Sequence, residues 1–420
     1  MTTVAAQGLL RVATAGSVDD GKSTLIGRLL VDAKAVLADQ LAAVERTSLL
    51  RGGTEPDLAL LTDGLRAERE QGITIDVAYR YFTTGRRNFI LADTPGHVQY
   101  TRNMVTGAST ADVAVVLVDA RSGVMEQTRR HASLAALLRV PHLVLAVNKM
   151  DLVGFDSGVF AGIVADFKAF TDKLDIEDVQ AIPLSALDGD NVVVHSARTP
   201  FYTGPALLEY LETLPADDTR WHPARFPVQY VIRPRTSQHP DYRGYAGQMA
   251  SGELRVGDPV VVLPSGRSTI ISGIDTADGP LPVAVAGQSV TLLLADELDV
   301  SRGDLIAPAD SQPAVGQEVL ATVTWMADAP LLTGARLLVK HTTRTTPAIV
   351  RALLGALDVT TLDTHPTAAL GLNDIGRVQL RTAAPLAADP YRENRLTGAF
   401  IFIDESTGAT VGAGLLEKLA

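Results

Sequence analysis

Short apolar runs alternate with amphipathic stretches from about residue 8 to residue 215. The apolar runs predict strands near residues 9–15, 77–83, 88–92, 113–118, 143–148 and 180–184. The amphipathic stretches predict helices near residues 22–31, 97–107, 126–139, 157–174 and 205–213. This alternation is typical of a doubly wound parallel sheet with helices on both faces. The turn at Thr83–Arg87 is short, so we expect an antiparallel hairpin at that edge of the sheet.

The pattern changes after a polar linker near residues 215–224. From Phe226 onwards, short β-rich runs are broken by Gly, Pro and Asp, which is typical of β-barrels. A second linker near residues 308–313 divides this half of the chain. The predicted fold is therefore an α/β doubly wound domain followed by two β-barrel domains. The predicted boundaries are residues 1–215 for the α/β domain and residues 225–308 and 314–420 for the barrels.

A charged insertion at about residues 32–72 interrupts the α/β pattern. We expect a helix such as Leu65–Gln71 within it, and we expect the remainder of the insertion to be mobile. The neighbouring Arg86 and Arg87 are predicted to be exposed. Six histidines lack the spacing of metal ligands and are predicted to be core or surface residues: His131, His142, His195, His222, His341 and His365.

Composition narrows the classes of protein. A chain of 420 residues with 46% hydrophobic and 20% charged residues fits a globular protein of more than one domain. Because it contains no cysteine, disulfides and thiol catalysis are excluded, and a reducing cytoplasm is the expected location. No secretory signal is visible and the apolar runs are shorter than a bilayer span, so no membrane association is expected. The net charge of −11 argues against a nucleic-acid partner.

One stretch near the N-terminus matches the phosphate-binding pattern G-x-x-x-x-G-K-S/T at every fixed position. It consists of Gly16, Ser17, Val18, Asp19, Asp20, Gly21, Lys22 and Ser23, followed by Thr24. It lies between a predicted strand and a predicted helix, where backbone N–H groups can converge on an anion. Lys22 is expected to reach the β and γ phosphates, and the Ser23 hydroxyl to bind Mg²⁺. A glycine-rich turn that matches by chance is the alternative for this stretch alone.

Three later motifs follow predicted strands in order. They are Asp93-Thr94-Pro95-Gly96, Asn148-Lys149-Met150-Asp151 and Ser185-Ala186-Leu187. The Asp151 carboxylate can accept hydrogen bonds from both N–H groups on the edge of guanine, and a backbone N–H of the third motif can donate to the base oxygen. Asn148 would join this pocket to the phosphate loop, and the Lys149 stem would stack on the purine. Ligands bind at the carboxyl ends of such strands, so the set predicts a GTP site.

The motifs together resemble the translation-factor class of GTPases, such as elongation factor Tu. Several stretches are more similar to the GTPase large subunit of bacterial sulfate adenylyltransferase (CysN). They are Ala13–Asp20, Thr62–Tyr81, Gln99–Asn103, Gly189–Val192, Lys340–Arg344 and Gly398–Asp404. Elongation factors would carry His in place of Asp20 and Lys in place of Arg102. The resemblance covers nearly the whole chain.

The metal and the hydrolytic residues follow from the same motifs and from Gly72-Ile73-Thr74, which places a threonine where a mobile switch segment could cap the Mg²⁺ and the γ-phosphate. Asp93 is expected to hold Mg²⁺ through a water, with Ser23 and Thr74 as the other protein ligands, and the Gly96 N–H to bind the γ-phosphate. His97 stands where related GTPases place the residue that orients the attacking water; an ordinary polar residue at a helix start is the alternative. The predicted catalytic residues are His97, Thr74 and Lys22. Asp19 either faces a monovalent cation or turns outward into solvent.

The resemblance implies a GTP- and Mg²⁺-dependent subunit of sulfate adenylyltransferase. Its partner would be a smaller, CysD-like catalytic subunit that joins ATP and sulfate into adenylylsulfate and pyrophosphate. GTP hydrolysis would drive that uphill step through a γ-phosphate switch. Two alternatives share these motifs: an elongation-factor-like GTPase that delivers aminoacyl-tRNA, and a regulatory GTPase without a metabolic substrate.

Overall fold

The computed structural model describes residues 7–50, 56–61, 77–95, 101–174, 176, 178–215, 222–234 and 241–420. The chain forms two compact units, Met1–Asp217 and Asp218–Ala420. The first unit is an α/β structure and the second consists of β-sheets. The predicted division of the second unit at residues 308–314 into two domains stays a prediction.

Six strands form one sheet in the first unit. They are β1 (Gln7–Ala15), β2 (Ala78–Thr83), β3 (Arg87–Asp93), β4 (Val113–Asp119), β5 (His142–Asn148) and β6 (Val179–Pro183). Their spatial order is β2-β3-β1-β4-β5-β6. All neighbouring pairs are parallel except β2 with β3, which form the predicted antiparallel hairpin. The predicted parallel sheet and its antiparallel edge are therefore confirmed.

Six α-helices are described in the first unit. They are α1 (Lys22–Asp32), α2 (Ala38–Leu50), α3 (Thr101–Ala108), α4 (Glu126–Leu137), α5 (Ser157–Thr171) and α6 (Leu207–Thr213). Two short 3-10 turns are Leu58–Leu61 and Met150–Val153. The predicted helix Leu65–Gln71 and the first residues of the predicted helix 97–107 lie outside the described residues.

The core of the first unit lies on both faces of the sheet. All seven residues of β4 are buried, although successive side chains point to opposite faces. This pattern requires helices on both sides, as expected for a parallel sheet. On one face, Val115 and Leu117 belong to the same apolar cluster as Leu25 and Leu29 of α1. This packing fixes α1, and with it the preceding loop, against the centre of the sheet.

The described part of the insertion contains a helix that the sequence analysis did not predict. This helix is α2, which buries Val44 and Ser48, and the Ser48 hydroxyl accepts a hydrogen bond of 2.8 Å from the Asp57 N–H. The turn that follows approaches the backbone of α1 so closely that a Cβ on Gly27 would lie 2.3 Å from the Leu58 carbonyl oxygen. These contacts connect residues 38–50 to α1 through the turn, and the expectation that the insertion is mobile stays a prediction.

Arg87 is buried, so the prediction of an exposed pair is wrong for this residue. Its side chain extends to the end of α6, where it donates to the carbonyls of Leu211 at 3.2 Å and of Leu214. It also donates to the Gly8 carbonyl at 3.0 Å. Arg86 is exposed as expected and forms a surface ion pair with Glu212 at 3.4 Å. The two neighbouring arginines differ in burial because only Arg87 reaches backbone carbonyls of other segments.

The second unit begins with a closed barrel. The strands of this region are β7 (Phe226–Ile232), β8 (Gly244–Gln248), β9 (Glu253–Arg255), β10 (Pro259–Leu263), β11 (Arg267–Thr276), β12 (Gly279–Pro280), β13 (Val283–Val285), β14 (Ser289–Leu294) and β15 (Leu305–Pro308). Of these, β9 and β13 form a separate two-stranded sheet. The order β10-β15-β7-β8-β14-β11 closes because β10 also pairs with β11. Alternating residues such as Phe226, Val228 and Tyr245 fill the interior.

The remaining strands are β16 (Ala314–Trp325), β17 (Leu331–Leu332), β18 (Arg336–His341), β19 (Arg344–Leu357), β20 (Thr364–His365), β21 (Ala369–Leu370), β22 (Ile375–Ala388), β23 (Ala399–Ile403) and β24 (Thr410–Leu419). All of them except β17 and β21, which form a separate two-stranded sheet, belong to the sheet of a second closed barrel. The order β18-β23-β24-β16-β22-β19 closes through a β18–β19 pair. The predicted class, an α/β domain followed by two β-barrels, is confirmed.

Candidate nucleotide-binding site

The phosphate loop connects the central strand β1 to α1. Gly21 precedes α1 with φ 92°, a conformation that glycine tolerates and other residues rarely adopt. A Cβ at this position would also lie 2.4 Å from the Asn148 side-chain nitrogen. Both the backbone angle and this contact require glycine. The loop is therefore shaped by its own sequence and by the end of β5.

Lys22 is buried, and its side chain lies against the loop. The ammonium group donates to the carbonyl oxygens of Gly16 at 2.8 Å and Ser17 at 2.9 Å. Burial lowers the pKa of Lys22, whereas the carboxylates of Asp93 and Asp20 oppose that change. The cation is thus held inside the loop, where the motif predicts the β and γ phosphates.

The two loop aspartates differ in environment. The Asp20 carboxylate is buried and accepts a hydrogen bond of 2.6 Å from the Ser17 N–H. Burial raises the pKa of Asp20, although the Ser17 N–H and Lys22 oppose the rise. Asp19 is exposed and has φ 68°. Asp20 therefore stabilises the loop from within, while Asp19 faces outward.

Asn148, the last residue of β5, connects the phosphate loop to the predicted base loop, Ser185–Leu187. Its side-chain amide donates to the Asp20 carbonyl at 2.7 Å, and its oxygen accepts from the Ala186 N–H at 2.9 Å. The residue is only 2% exposed. Two segments that are far apart in sequence are therefore held by one side chain, as the sequence analysis expected of Asn148.

Asp119 is a site residue that the sequence analysis missed. It ends β4 in register with Asn148 and accepts from the Lys149 ammonium at 3.0 Å and from Arg121 at 2.7 Å. Burial acts to raise its pKa, but these hydrogen bonds hold the pKa of Asp119 well below its ordinary value. Its position after the buried run 113–118, at the edge where ligands bind, was the available signal.

Lys149 is fixed at two points. Besides Asp119, its ammonium donates to the carbonyl of Asp19 in the phosphate loop. The backbone of Lys149 has φ 61°, just before the Met150–Val153 turn that carries Asp151. The side chain is therefore stretched across the site between two anchors, which suits a stem that stacks on a base.

The end of β3 places oxygen atoms that could bind a cation close to Lys22. Asp93 is 2% exposed, and its carboxylate accepts from the Thr14 hydroxyl at 3.3 Å. The Thr94 hydroxyl donates to the Thr14 carbonyl at 2.6 Å, which fixes the segment after β3 to β1. Ser23 lies in the first turn of α1 and is half-buried.

The remaining predicted residues fall into four groups. Several are buried framework residues: Thr94, Pro95, Met150, Ser185 and Ala186. Val18 and Leu187 are exposed, while Ser17, Thr24 and Asp151 are half-buried. Thr74, Gly96 and His97 lie outside the described residues.

The side-chain oxygens of Ser23 and Asp93 suit a Mg²⁺ ion that phosphates and waters also bind, rather than a metal ion bound by protein ligands alone. Mg²⁺ is usually bound by one or two protein oxygens together with substrate phosphates and waters. Ser23 and Asp93 supply a hydroxyl and a carboxylate near the buried Lys22. Within the described ranges, no group of three or more His, Asp or Glu side chains is arranged to hold a metal. No helix among the described residues is long and apolar enough to cross a membrane.

Comparison with known families agrees with this architecture. Residues 7–217 match the elongation factor Tu GTP binding domain, and residues 318–417 match the GTP-eEF1A C-terminal domain-like family. A solved structure of Sup35 complexed with GDP aligns over 100% of this chain and 96% of that chain. Its sequence identity is 24% and the TM-score is 0.45, a similarity too distant to bear on function.

Curated relatives match almost the whole chain. The bifunctional enzyme CysN/CysC of Mycobacterium tuberculosis is 60% identical over 97% of this chain, which spans 67% of that protein. Sulfate adenylyltransferase subunit 1 of Laribacter hongkongensis is 52% identical, over 98% of this chain and 85% of its own length. The subunit 1 of Bacteroides fragilis is 53% identical, over 97% and 86%. The chain thus belongs to the sulfate adenylyltransferase subunit 1 (CysN) family, with a GTP-binding domain of the elongation factor Tu type.

Proposed function

We propose that this chain is the GTP-hydrolysing subunit of a sulfate adenylyltransferase in sulfate assimilation. It hydrolyses GTP to drive the synthesis of adenylylsulfate and pyrophosphate from ATP and sulfate by a smaller partner subunit. The observation that carries this proposal is the similarity of 49–60% identity over nearly the whole chain to proteins with these names. The elongation factor Tu domain match supports GTP as the nucleotide.

The chain's own residues then have distinct roles. Asp151 recognises the N–H edge of guanine, Lys149 covers the base, and Asn148 keeps the base loop aligned with the phosphate loop. Lys22 exchanges its bonds with the loop carbonyls for bonds with the β and γ phosphates. The hydrogen bond from Ser17 to Asp20 preserves the shape of the loop during that exchange.

We assign metal binding and hydrolysis to a second set of residues. Ser23, Asp93 and Thr74 would hold Mg²⁺, which neutralises charge on the phosphates when it is bound. Gly96 would bind the γ-phosphate and His97 would orient the attacking water. The roles of Thr74, Gly96 and His97 rest on their motifs, since these residues lie outside the described part of the chain.

The partner follows from the chemistry. Formation of a sulfate–phosphate anhydride is strongly uphill, so the reaction that the partner catalyses must be coupled to a spontaneous reaction such as GTP hydrolysis. We infer a small CysD-like subunit that binds ATP and sulfate and responds to the γ-phosphate switch. By linkage, GTP must favour the product-forming state of the partner as much as that state favours the GTP-bound switch. The sequence has no cysteine, which is consistent with the cytoplasmic location that we propose.

The test is an assay of product against nucleotide consumed. With the small subunit, ATP, sulfate and GTP, we expect adenylylsulfate to accumulate beyond the level reached with ATP and sulfate alone. Thr74→Ala should abolish this excess and leave guanine recognition intact. Ribosomes with aminoacyl-tRNA serve as the comparison stimulant. Stimulation of hydrolysis by ribosomes alone would assign the chain to translation, and no response to either would favour a regulatory GTPase.

A further inference from the structure

Arg28 lies in α1 and reaches the predicted base loop. Its Nε donates to the Ala186 carbonyl at 3.3 Å, and its Nη2 donates to the Leu187 carbonyl. The side chain is 24% exposed, and it also lies 3.7 Å from the Asp32 carboxylate one turn along α1. A single guanidinium thus holds two successive carbonyls of the segment Ser185–Leu187.

The base loop is closed in a way that accommodates this arginine. The Ser185 carbonyl accepts from the Gly189 N–H at 2.8 Å, and the Ser185 hydroxyl accepts from the Asp188 N–H at 3.3 Å. Gly189 has φ 88°, and a Cβ there would lie 3.5 Å from the Arg28 Cδ. The Arg28 stem therefore packs directly against the turn that ends the loop.

The two N–H groups of the loop are in different situations. The Ala186 N–H donates to the Asn148 oxygen at 2.9 Å. The Leu187 N–H has no hydrogen bond to any residue that the structure describes. In a planar trans peptide the N–H points opposite to the preceding carbonyl. By holding the Ala186 carbonyl, Arg28 therefore sets the direction of the Leu187 N–H.

We propose that Arg28 is a positioning residue for guanine recognition: it fixes the Ala186–Leu187 peptide so that the Leu187 N–H donates to the oxygen at position 6 of the base. This inference rests on the proposed function, in which the chain binds GTP. Arg28 does not touch the nucleotide itself. The alternative is a purely structural tie between α1 and the loop, which would affect all purine nucleotides equally.

The test compares the affinities of the full chain for GTP, 6-thio-GTP and inosine triphosphate. Sulfur is a weak hydrogen-bond acceptor, so 6-thio-GTP reports on position 6, whereas inosine triphosphate lacks the 2-amino group and reports on Asp151. One hydrogen bond of about 1 kcal/mol predicts that the parent chain prefers GTP to 6-thio-GTP by about fivefold.

Arg28→Ala should reduce this preference to nearly one while the ratio of GTP to inosine triphosphate stays unchanged. Asp32→Asn is the matched control, because it removes the negative charge beside Arg28 and leaves both carbonyl contacts of Arg28 in place. This variant should keep the affinity ratios of the parent chain. Arg28→Lys retains the charge without the two-pronged geometry and should give an intermediate ratio. If Arg28→Ala does not fold, the ratio of Arg28→Lys decides.

An unchanged preference for GTP over 6-thio-GTP in both Arg28 variants would overturn the proposal, whatever the loss of overall affinity or stability. Equal binding of all three nucleotides by the parent chain would contradict the guanine site and, with it, the proposed function. The two failures are therefore distinguishable.

Discussion

Single side chains decide what this site can recognise. Asp151 follows the Asn148–Lys149 pair in a short turn, and it is half-buried rather than sealed in the core. The neighbouring Asn148 and Lys149 are each held by two protein groups. We therefore expect Asp151 and the loop at Ser185–Leu187 to recognise the base.

Replacing Asp151 by Asn should exchange the preferred base. The amide cannot accept from both N–H groups of guanine but can pair with the altered edge of xanthine. A charge-assisted hydrogen bond of about 1.5–3 kcal/mol predicts a loss of GTP affinity of about ten- to a hundredfold, with improved binding of xanthosine triphosphate. Titration with a fluorescent nucleotide measures both. Asp166→Asn, at an exposed carboxylate on α5, is the control, and unchanged GTP affinity in Asp151→Asn would contradict the assignment.

A buried histidine should make the first unit sensitive to acid. His131 in α4 is 1% exposed, and burial, helped by the charges of Lys22 and Arg130, lowers its pKa to about 3. In the unfolded chain its pKa is about 6.5, so the unfolded state takes up a proton first as the pH falls. The stabilisation is complete above pH ~6.5 and is lost below it, by about 2 kcal/mol at pH ~5.

The comparison is urea unfolding of the parent chain and of His131→Gln at neutral pH and near pH ~5. The variant should lose less stability on acidification than the parent. His195→Gln changes an exposed histidine of the same unit and should behave like the parent. Equal losses in parent and His131→Gln would contradict the prediction.

At the scale of elements, buried polar side chains join segments that hydrophobic packing alone would leave loosely fixed. Arg87 joins β3 to β1 and to the end of α6 through three carbonyls. Ser48 joins α2 to the turn at Leu58–Leu61, and this turn packs on Gly27 of α1. The helix that carries Lys22 and Arg28 is consequently held from the sheet side and from the insertion side.

Adjacent arginines provide a matched pair of variants. Arg87→Ala leaves the buried carbonyls of Leu211 and Leu214 without their donor, and each such group costs about 1–3 kcal/mol, so we expect a loss of about 2–6 kcal/mol in the free energy of unfolding. Arg86→Ala removes the exposed partner of an ion pair with the half-buried Glu212 and should cost less than about 1 kcal/mol. Urea unfolding of the two variants checks the contrast. Similar losses of stability in the two variants would contradict the role assigned to the buried hydrogen bonds of Arg87.

At the scale of the whole molecule, the second unit contains a buried ion pair that joins its two barrels. Arg225, at the start of the first barrel, donates to both oxygens of Asp389 at 2.9 and 2.8 Å. The Thr397 hydroxyl donates to the same carboxylate at 2.6 Å. Arg225 is 3% exposed, so its charge depends on Asp389 for compensation.

Asp389→Asn should therefore destabilise the second unit by about 3–5 kcal/mol, because it leaves a buried charge unpaired. The double variant Arg225→Met with Asp389→Leu should recover most of that loss. Trp325 is buried in the second barrel, and its fluorescence reports unfolding once Trp221 is replaced by Phe. Glu393→Gln, in an exposed pair of 3.5 Å with Arg392, is the control. A double variant less stable than Asp389→Asn would refute the explanation.

The sequence by itself determined the architecture and the kind of site. Alternating strands and helices, and barrels broken by Gly and Pro, follow from local periodicity, which each segment carries independently of the others. The phosphate loop and the Asn148–Asp151 motif are also local, because few residue types can fold so tightly or present such groups. The family followed from these stretches, and the relatives confirm it.

Only the tertiary structure decided which polar side chains meet. Arg86 and Arg87 are neighbours with the same side chain, yet one is solvated and the other joins β3 to α6. Asp20 turns into its loop while Asp19 does not, and Arg28 reaches carbonyls more than a hundred residues away in sequence. Periodicity states which face of an element is buried. The partner of a long polar side chain depends on where another segment places its backbone, and that position exists only once the chain is folded.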